Sequence, residues 1–329
     1  MRTILSRSRF VGLLSAALAS PALSTDAPLA SNSDLEQLIG HPASIKRVIW
    51  AVLEPPQTNL WVFQVQSQQC DEARLTALAT AFAVKGEVKP MPQDMTTSGF
   101  WIKETNPTNT HLWRSITWSK TGMLAYYSGD DGYRWDVKNH KPLVEGVPDH
   151  KEAIRKALAL LPVLGLTTND LEVNSSGSLR VQFAKESTGY NERGSKERKE
   201  VVNKRAVLFF QRVPGGETLS VGEGGTLQMG FVSGGKVADI ELLFRDLRPV
   251  GTIKSLTAGQ IQNAFERGRV WTYRNNIPET LTITNCTLVY PQGNSSYSQK
   301  YVWPVYALTG FGNTSEGIKT FSFFLPLNP

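Results

Sequence analysis

Residues 100–137, with the sequence FWIKETNPTNTHLWRSITWSKTGMLAYYSGDDGYRWDV, indicate β-structure, because strand-forming stretches alternate with closely spaced turn signals. The aromatic and β-branched stretches are residues 100–105, 111–119, 123–127 and 133–137. Between them lie residues 106–109, 120–122 and 129–132, which are rich in the Asn, Pro, Asp and Gly residues that favour turns. Turns this close together join neighbouring antiparallel strands, so the segment predicts an antiparallel meander.

Aromatic side chains are concentrated in this meander. Since side chains alternate between the two faces of a strand, Trp113 shares one face with His111, and Trp118 shares the other with Arg114. An aromatic wall with a few polar groups suits a flat apolar or conjugated ligand. The same residues are also typical of a packed core, and exposed Trp and Tyr residues stack on sugars, so all three interpretations stay open. The aromatic residues are Trp101, Trp113, Trp118, Tyr126, Tyr127, Tyr133 and Trp135.

Outward from the meander, three stretches show helical periodicity: residues 71–84, 149–161 and 257–267. Asp149 and Thr257 are typical N-cap residues, and Gly268 is typical of the position after a helix. Antiparallel strands follow each helix, and no βαβ alternation runs through the chain. We therefore predict an α+β fold, with large curved antiparallel sheets, sandwich-like or barrel-like, and about three packed helices. Residues 25–329 form one domain or two subdomains that meet near residues 146–148.

Two charged segments allow specific predictions. Residues 186–205 carry alternating charges and predict a solvated loop. Residues 236–245 predict a strand on which Asp239, Glu241 and Arg245 share one face. These residues either form an acid–base pair that faces a cavity, or they lie on the solvated side of a half-buried sheet.

Composition excludes several classes of protein. The chain has 329 residues, of which 40% are hydrophobic and 19% are charged, so it is neither disordered nor a coiled coil. The net charge is only +6, and three of the positive charges, Arg2, Arg7 and Arg9, belong to an N-terminal segment that we predict is cleaved off. The remaining charge is small, so nucleic-acid binding is not indicated. The four histidines are scattered, and no nucleophile elbow or phosphate loop is present. We expect no metal and no cofactor.

The N-terminus predicts a signal peptide over residues 1–24. Its three arginines precede a short apolar stretch, residues 10–19, and Ala22 and Ser24 are the small residues that a signal peptidase requires before Thr25. The alternatives are a membrane anchor and an ordinary first helix. We predict entry into the secretory pathway, a secreted or lumenal location and no stable membrane anchor.

Two further features fit the secretory pathway. Asn-X-Ser/Thr sequons, each a candidate surface glycosylation site, occur at Asn174, Asn285, Asn294 and Asn313. Cys70 and Cys286 are the two cysteines of the chain. In an oxidising compartment they are either bridged to each other or present as two separate buried thiols.

The layout resembles the secreted fungal hetero-Diels–Alderases of tropolone-sesquiterpenoid biosynthesis, of the eupenifeldin and xenovulene type. The resemblance rests on the signal peptide and on four segments that cover most of the mature chain. These are LWRSITWSKTGMLAYYSGDDGYRWDV, KEAIRKALALLPVLGL, the stretch from AVLFFQRVPGG to GGTLQMGFVSGGKVADIELLFRDLRP, and LTITNCTLVY with YVWPVYAL.

The resemblance implies an intermolecular cycloaddition without a cofactor. A hydroxymethyl tropolone loses water to give a quinone-methide diene, which adds to an alkene of a humulene-type sesquiterpene. Such an enzyme binds both partners in one orientation, excludes water and places a hydrogen-bond donor near the developing oxygen charge. The partners implied are therefore these two small molecules.

Within the meander, the residues suggest roles for this chemistry. His111 is the predicted acid for loss of water and Arg114 the predicted partner of the oxygen anion. The predicted substrate-binding residues are Trp113, Trp118, Tyr127 and Trp135. Because of the period of two, Trp113 and Trp118 cannot both line one pocket unless a bulge intervenes. A non-catalytic binding module for an apolar or carbohydrate ligand is the alternative function.

The signal-peptide and sequon predictions are tested together on protein secreted from a eukaryotic host. We expect N-terminal sequencing to start near Thr25 and treatment with an N-glycosidase to reduce the mass. An intact Met1 with an unchanged mass would contradict both predictions.

Overall fold

The computed structural model describes residues 27–51, 55, 59–66, 71–91, 98–105, 113–119, 121–129, 135–142, 146–174, 176–214, 219–221, 224–294 and 298–327. The predicted signal peptide, Cys70 and His111 lie outside these ranges. The described residues contain the helices α1 Asn32–Ile39, α2 Glu72–Ala81, α3 His150–Leu160 and α4 Ala258–Glu266. None of these helices is long and apolar enough to cross a membrane.

The strands of the described residues are numbered along the chain. The first ten are β1 His41–Ala43, β2 Arg47–Trp50, β3 Asn59–Val65, β4 Lys89–Pro90, β5 Gly99–Thr105, β6 Trp113–Ser119, β7 Leu124–Ser128, β8 Trp135–Asp136, β9 Lys141–Pro142 and β10 Val181–Asn191. The others are β11 Arg198–Phe210, β12 Leu219–Val221, β13 Thr226–Phe231, β14 Val237–Leu242, β15 Leu247–Lys254, β16 Val270–Thr272, β17 Thr280–Pro291, β18 Tyr301–Val302, β19 Val305–Thr314 and β20 Gly317–Pro326.

An eight-stranded sheet in the order β10-β11-β13-β14-β7-β6-β5-β4 carries the meander. All of its strand pairs are antiparallel. One face of the sheet, which includes Ile116 and Ile240, packs on α2 through Leu75 and Leu78 and on α3 through Ala153. We call this the inner face, and the opposite face the outer face. Leu124 and Ala153 belong to the same core, so the segments before and after residues 146–148 both contribute to that core.

A second core lies under a seven-stranded sheet. Its main path is β1-β16-β20-β19-β17-β12, and β2 also pairs with β17. Both β2 and β12 run parallel to β17, whereas the other pairs are antiparallel. Phe265 of α4 packs on one side of β20 with Phe323, and Leu35 of α1 packs with Phe324 on the other. A three-stranded sheet, β15-β3-β18, contributes Phe63 to the same core as α4.

The predicted helices and caps are confirmed. Asp149 caps α3, with its carboxylate accepting a hydrogen bond from the Glu152 amide at 2.8 Å. Thr257 forms a capping box with Gln260 at the start of α4, and Gly268 follows that helix at a φ of 69°. The structure adds α1, which begins with a capping box between Ser31 and Asp34. The β-rich α+β class is thus confirmed, and the sheets of the described residues are open and close no barrel.

Two sequence predictions are wrong. Residues 186–205 are not a loop but most of the β10–β11 hairpin, whose charges form ion pairs within it: Lys185 with Glu200, Lys199 with Glu192 and Lys204 with Glu186. Glu186 and Lys204 are direct strand partners, so the alternating charges reflect contacts within a hairpin rather than a loop. Within the predicted strand 133–137, the described residues 135–137 do not extend the meander, because β8 pairs with β9 in a separate two-stranded sheet.

The two faces of the sheet predict opposite responses to substitution at neighbouring positions of β6. Ile116 is fully buried on the inner face, so Ile116→Ala should lower the free energy of unfolding by about 2–5 kcal/mol. Ser115 lies on the outer face, so Ser115→Ala should change it by less than about 0.5 kcal/mol. Urea denaturation measures both variants. Equal losses would contradict the assignment of faces.

Candidate functional site

Trp113 and Trp118 lie on opposite faces of the eight-stranded sheet. Trp118 is 5% exposed and belongs to the inner core, where the Arg74 guanidinium lies 4.7 Å from the centre of its ring. Trp113 is half-buried and lines a cleft on the outer face. No bulge interrupts the pairing of β6 with β5 or β7, so the alternation of side chains separates the two indoles.

We call this cavity of about 410 Å³ the outer-face cleft. Strands β6, β7 and β14 provide part of its wall, and β10, β11, β13 and Val232, the residue after β13, provide the rest. The side chains on which its chemistry depends are Trp113, Tyr127, Asn203, Lys204, Asp239 and Glu241.

A partly buried ion pair lies in the cleft. The Lys204 ammonium is 2.8 Å from Asp239 Oδ2 and 3.0 Å from Glu186 Oε1. The side chains of Lys204 and Asp239 are 17% and 10% exposed, whereas that of Glu186 is 68% exposed. Burial lowers the pKa of Lys204, but the two carboxylates outweigh burial and the pKa is raised. Lys204 is therefore a firmly protonated hydrogen-bond donor.

Tyr127 and Glu241 form a second polar pair. The Tyr127 hydroxyl donates to Glu241 Oε1 at 2.5 Å. Burial raises the pKa of Tyr127, and the nearby carboxylates of Glu241 and Asp239 raise it further. The phenol therefore stays protonated throughout the physiological range.

Local backbone features shape the cleft. Gly230 lies between Ala206 of β11 and Asp239 of β14. A Cβ at this position would come within 2.2 Å of Asp239 Oδ2 and 2.5 Å of Lys204 Cε, so glycine leaves the room that the ion pair occupies. Register shifts at Glu186/Ser187 and Gly230/Phe231 leave Asn203 and Ala238 without strand partners, and both residues line the cleft. Bulges of this kind re-aim side chains and occur often beside functional sites.

The structure brings together only some of the predicted site residues. Trp113 and Tyr127 share the cleft. Arg114 lies on the inner-face side, and its guanidinium donates to the Ala83 carbonyl at 3.1 Å, next to the end of α2. Trp135 is 38% exposed and meets Tyr190 edge to face, with ring centres 6.1 Å apart. His111 lies outside the described residues.

Of the three charged residues predicted on β14, two line the cleft. Asp239 and Glu241 do so, as the cavity alternative for this strand requires. Arg245 lies beyond the end of β14, and its guanidinium donates to the carbonyls of Gly293 and Asn294 instead. Sequence reasoning did not find Lys204 or Asn203, because both lie in the segment predicted as a loop.

The remaining candidate residues lie elsewhere on the chain. Cys286 is half-buried in the second core, and burial raises the pKa of its thiol to about 11. Its bridge to Cys70 stays a prediction, because Cys70 lies outside the described residues. All four sequon asparagines are exposed: Asn174, Asn285, Asn294 and Asn313. Among the described residues, no three or more His, Cys, Asp or Glu side chains are grouped to hold a metal ion.

Comparison with known proteins adds little to this description. The sequence matches no protein-family model and no curated protein. Among solved structures, the fold is similar to the crystal structure of an uncharacterized protein from Eubacterium rectale, with a TM-score of 0.46 and 8% sequence identity. That similarity covers 81% of this chain and 82% of that chain. A likeness this distant carries no argument about function.

Adding one methyl group at Gly230 tests the construction of the cleft. Gly230→Ala should displace the Lys204–Asp239 pair and lower the free energy of unfolding by about 1–3 kcal/mol. The matched control is Gly259→Ala in α4, where no atom lies within 4 Å of the new methyl group. That variant should gain up to about 1 kcal/mol. Denaturation curves compare the two, and a neutral or stabilised Gly230→Ala would contradict this arrangement.

Proposed function

We propose that the protein is a secreted, cofactor-free pericyclase and that the outer-face cleft is its active site. It acts as an intermolecular hetero-Diels–Alderase that joins a tropolone quinone-methide diene to a humulene-type sesquiterpene. The reaction class follows from the sequence resemblance. The structural observation that supports it is the meeting of an indole, a phenol and a half-buried ammonium in one small cavity.

Binding supplies most of the catalysis in this proposal. The cavity of about 410 Å³ falls within the range of roughly 300–1,000 Å³ that is usual for small-molecule sites. The flat diene stacks on Trp113, and Tyr127 limits its position from the neighbouring strand. Holding diene and alkene in one orientation removes the entropic cost of their encounter, which is the main barrier that a cycloaddition enzyme can lower.

The polar side chains act on the oxygen atoms of the diene. Two of the three N–H bonds of Lys204 face Asp239 and Glu186, and in this proposal the third donates to a substrate oxygen on which negative charge develops. The raised pKa of Lys204 keeps this donor in place as the pH rises. Tyr127 is held by Glu241 and stays protonated, so it adds no competing anion. His111 remains the predicted acid for loss of water.

A specific observation favours the alternative of a non-catalytic carbohydrate-binding module. Three carboxylates and one amide line the same cleft as the indole of Trp113: Glu186, Asp239, Glu241 and Asn203. Hydrogen-bond acceptors beside an aromatic ring suit a hydroxyl-rich sugar as well as they suit a hydroxylated aromatic ring. In both functions the same cleft binds the ligand, so only a measurement of turnover distinguishes the enzyme from the binding module.

The secreted or lumenal location of the protein is part of the same proposal. The predicted signal peptide and the four exposed sequon asparagines support synthesis in the secretory pathway and N-glycosylation. The two substrates would then meet the enzyme in a lumen or outside the cell.

The two tryptophans of β6 provide a matched test of this activity. Purified protein is incubated with a quinone-methide precursor and humulene, and the adduct is quantified and its stereochemistry determined. Trp113→Leu should abolish the excess of adduct over buffer and cost less than about 1 kcal/mol of stability. Trp118→Leu removes a core side chain and should cost about 2–4 kcal/mol.

Two results would contradict the proposal. If wild-type protein neither raises the amount of adduct nor biases its stereochemistry, the binding module becomes the better account. If Trp113→Leu leaves the yield unchanged while the wild type is active, the active site lies outside this cleft.

A further inference from the structure

Two buried oxygen atoms of the outer-face cleft have no hydrogen-bond partner among the described residues. They are Oδ1 of Asp239 and Oδ1 of Asn203. Asp239 is only 7% exposed, so bulk water reaches little of it. Buried polar atoms are paired in the great majority of native structures, and an unpaired one calls for an explanation.

The described residues around the two oxygens do not supply the missing donors. Lys204 binds the other carboxylate oxygen of Asp239, and Asn203 uses its Nδ2 to donate to the Thr188 hydroxyl. Gly230, which lies directly beside Asp239 on β13, has no side chain to offer. Asn203 itself is the extra residue of a bulge, which sets its amide in the cleft wall.

We propose that the ligand of this cleft is a planar ring that carries two hydroxyl groups, which donate to Asp239 Oδ1 and Asn203 Oδ1 while the ring lies against Trp113. This inference rests on the proposed function only in placing a ligand in the outer-face cleft. It names the chemical class of that ligand, whatever reaction follows. A hydroxyl group is the donor that fits because it is neutral and small and can turn its hydrogen toward a recessed oxygen.

The charges of the cleft disfavour other classes of ligand. A carboxylate or phosphate ligand would lie beside Asp239, Glu186 and Glu241. An organic ammonium that reached the unpaired oxygen of Asp239 would lie beside the Lys204 ammonium, which already neutralises that carboxylate at 2.8 Å. A wholly apolar ligand would cover both acceptors and leave them unpaired.

Three small probes of similar shape separate these classes in calorimetric titrations of the full chain. Catechol carries two neighbouring hydroxyl groups, veratrole carries methoxy groups in their place, and benzylammonium carries a positive charge. Catechol should bind in the millimolar range or tighter, at least about tenfold more tightly than either of the others. Equal binding of veratrole, preferential binding of benzylammonium, or no binding of catechol would each overturn the inference.

Two variants locate the contact. Asp239→Asn can keep an oxygen toward Lys204 and place an NH₂ group where the unpaired acceptor was, so affinity for catechol should fall roughly 10- to 100-fold. Glu200→Gln, at an exposed carboxylate of the same hairpin that does not line the cleft, should bind catechol as the wild type does. Circular dichroism confirms that each variant is folded, and Asn203→Ala provides a second test if Asp239→Asn unfolds. Unchanged affinity in a folded Asp239→Asn or Asn203→Ala variant would contradict the proposal.

These results are independent of the cycloaddition assay. Specific binding of catechol by a protein that forms no adduct would support the ligand class and reject the pericyclase. Adduct formation without a preference for catechol would reject the ligand class and leave the pericyclase standing.

Discussion

The alternation of side chains across β6, β7 and β14 is the constraint on which the rest of the site depends. The register places Ile116, Tyr126 and Ile240 side by side toward the helices. It also places Tyr127 directly opposite Asp239, on the other face. A shift of one residue in any of these pairings would move core side chains to the outer face and cleft side chains into the core. The hydrophobic contacts with α2 and α3 therefore fix the composition of the cleft, although neither helix lines it.

The Lys204–Asp239 pair depends on this sheet in turn. It joins β11 to β14 across β13, and the absence of a side chain at Gly230 gives it room. A buried charge is tolerated only when it is paired, so loss of either partner would leave the other charge uncompensated. The same pair keeps Lys204 protonated and occupies only one carboxylate oxygen of Asp239, so that the other oxygen lacks a donor among the described residues. The proposed chemistry uses both properties.

The sequence predicted the local features of this structure well. Periodicity located three of the four helices of the described residues, Asp149 and Thr257 were identified as N-caps, and the period of two separated Trp113 from Trp118. Prediction from local sequence failed where the pairing residues are far apart in the chain. The charges of residues 186–205 indicate a loop when they are considered alone, because their partners become visible only when the hairpin is formed. The first helix was missed although Ser31 and Asp34 carry a capping-box signal.

The cleft itself could be predicted only in part. Tyr127 and Glu241 are 114 residues apart in sequence, and no local pattern relates them. The sequence placed Trp113 and Tyr127 in an aromatic segment and left Asp239 and Glu241 with two interpretations. The strand order β11-β13-β14-β7-β6 joined these groups, and that order is a property of the whole fold. The separation of Arg114 from Trp113, by contrast, follows from the period of two within β6 and was predicted from the sequence.

The central claim is that ligand binds on the outer face of the sheet, beside Trp113. Nuclear magnetic resonance of ¹⁵N-labelled indole N–H groups tests it most directly, with Trp113 and Trp118 assigned by single substitution. On titration with catechol, the Trp113 resonance should shift in a saturable manner while the Trp118 resonance stays in place. A saturable shift of Trp118 without one of Trp113, or no shift of either, would contradict the account.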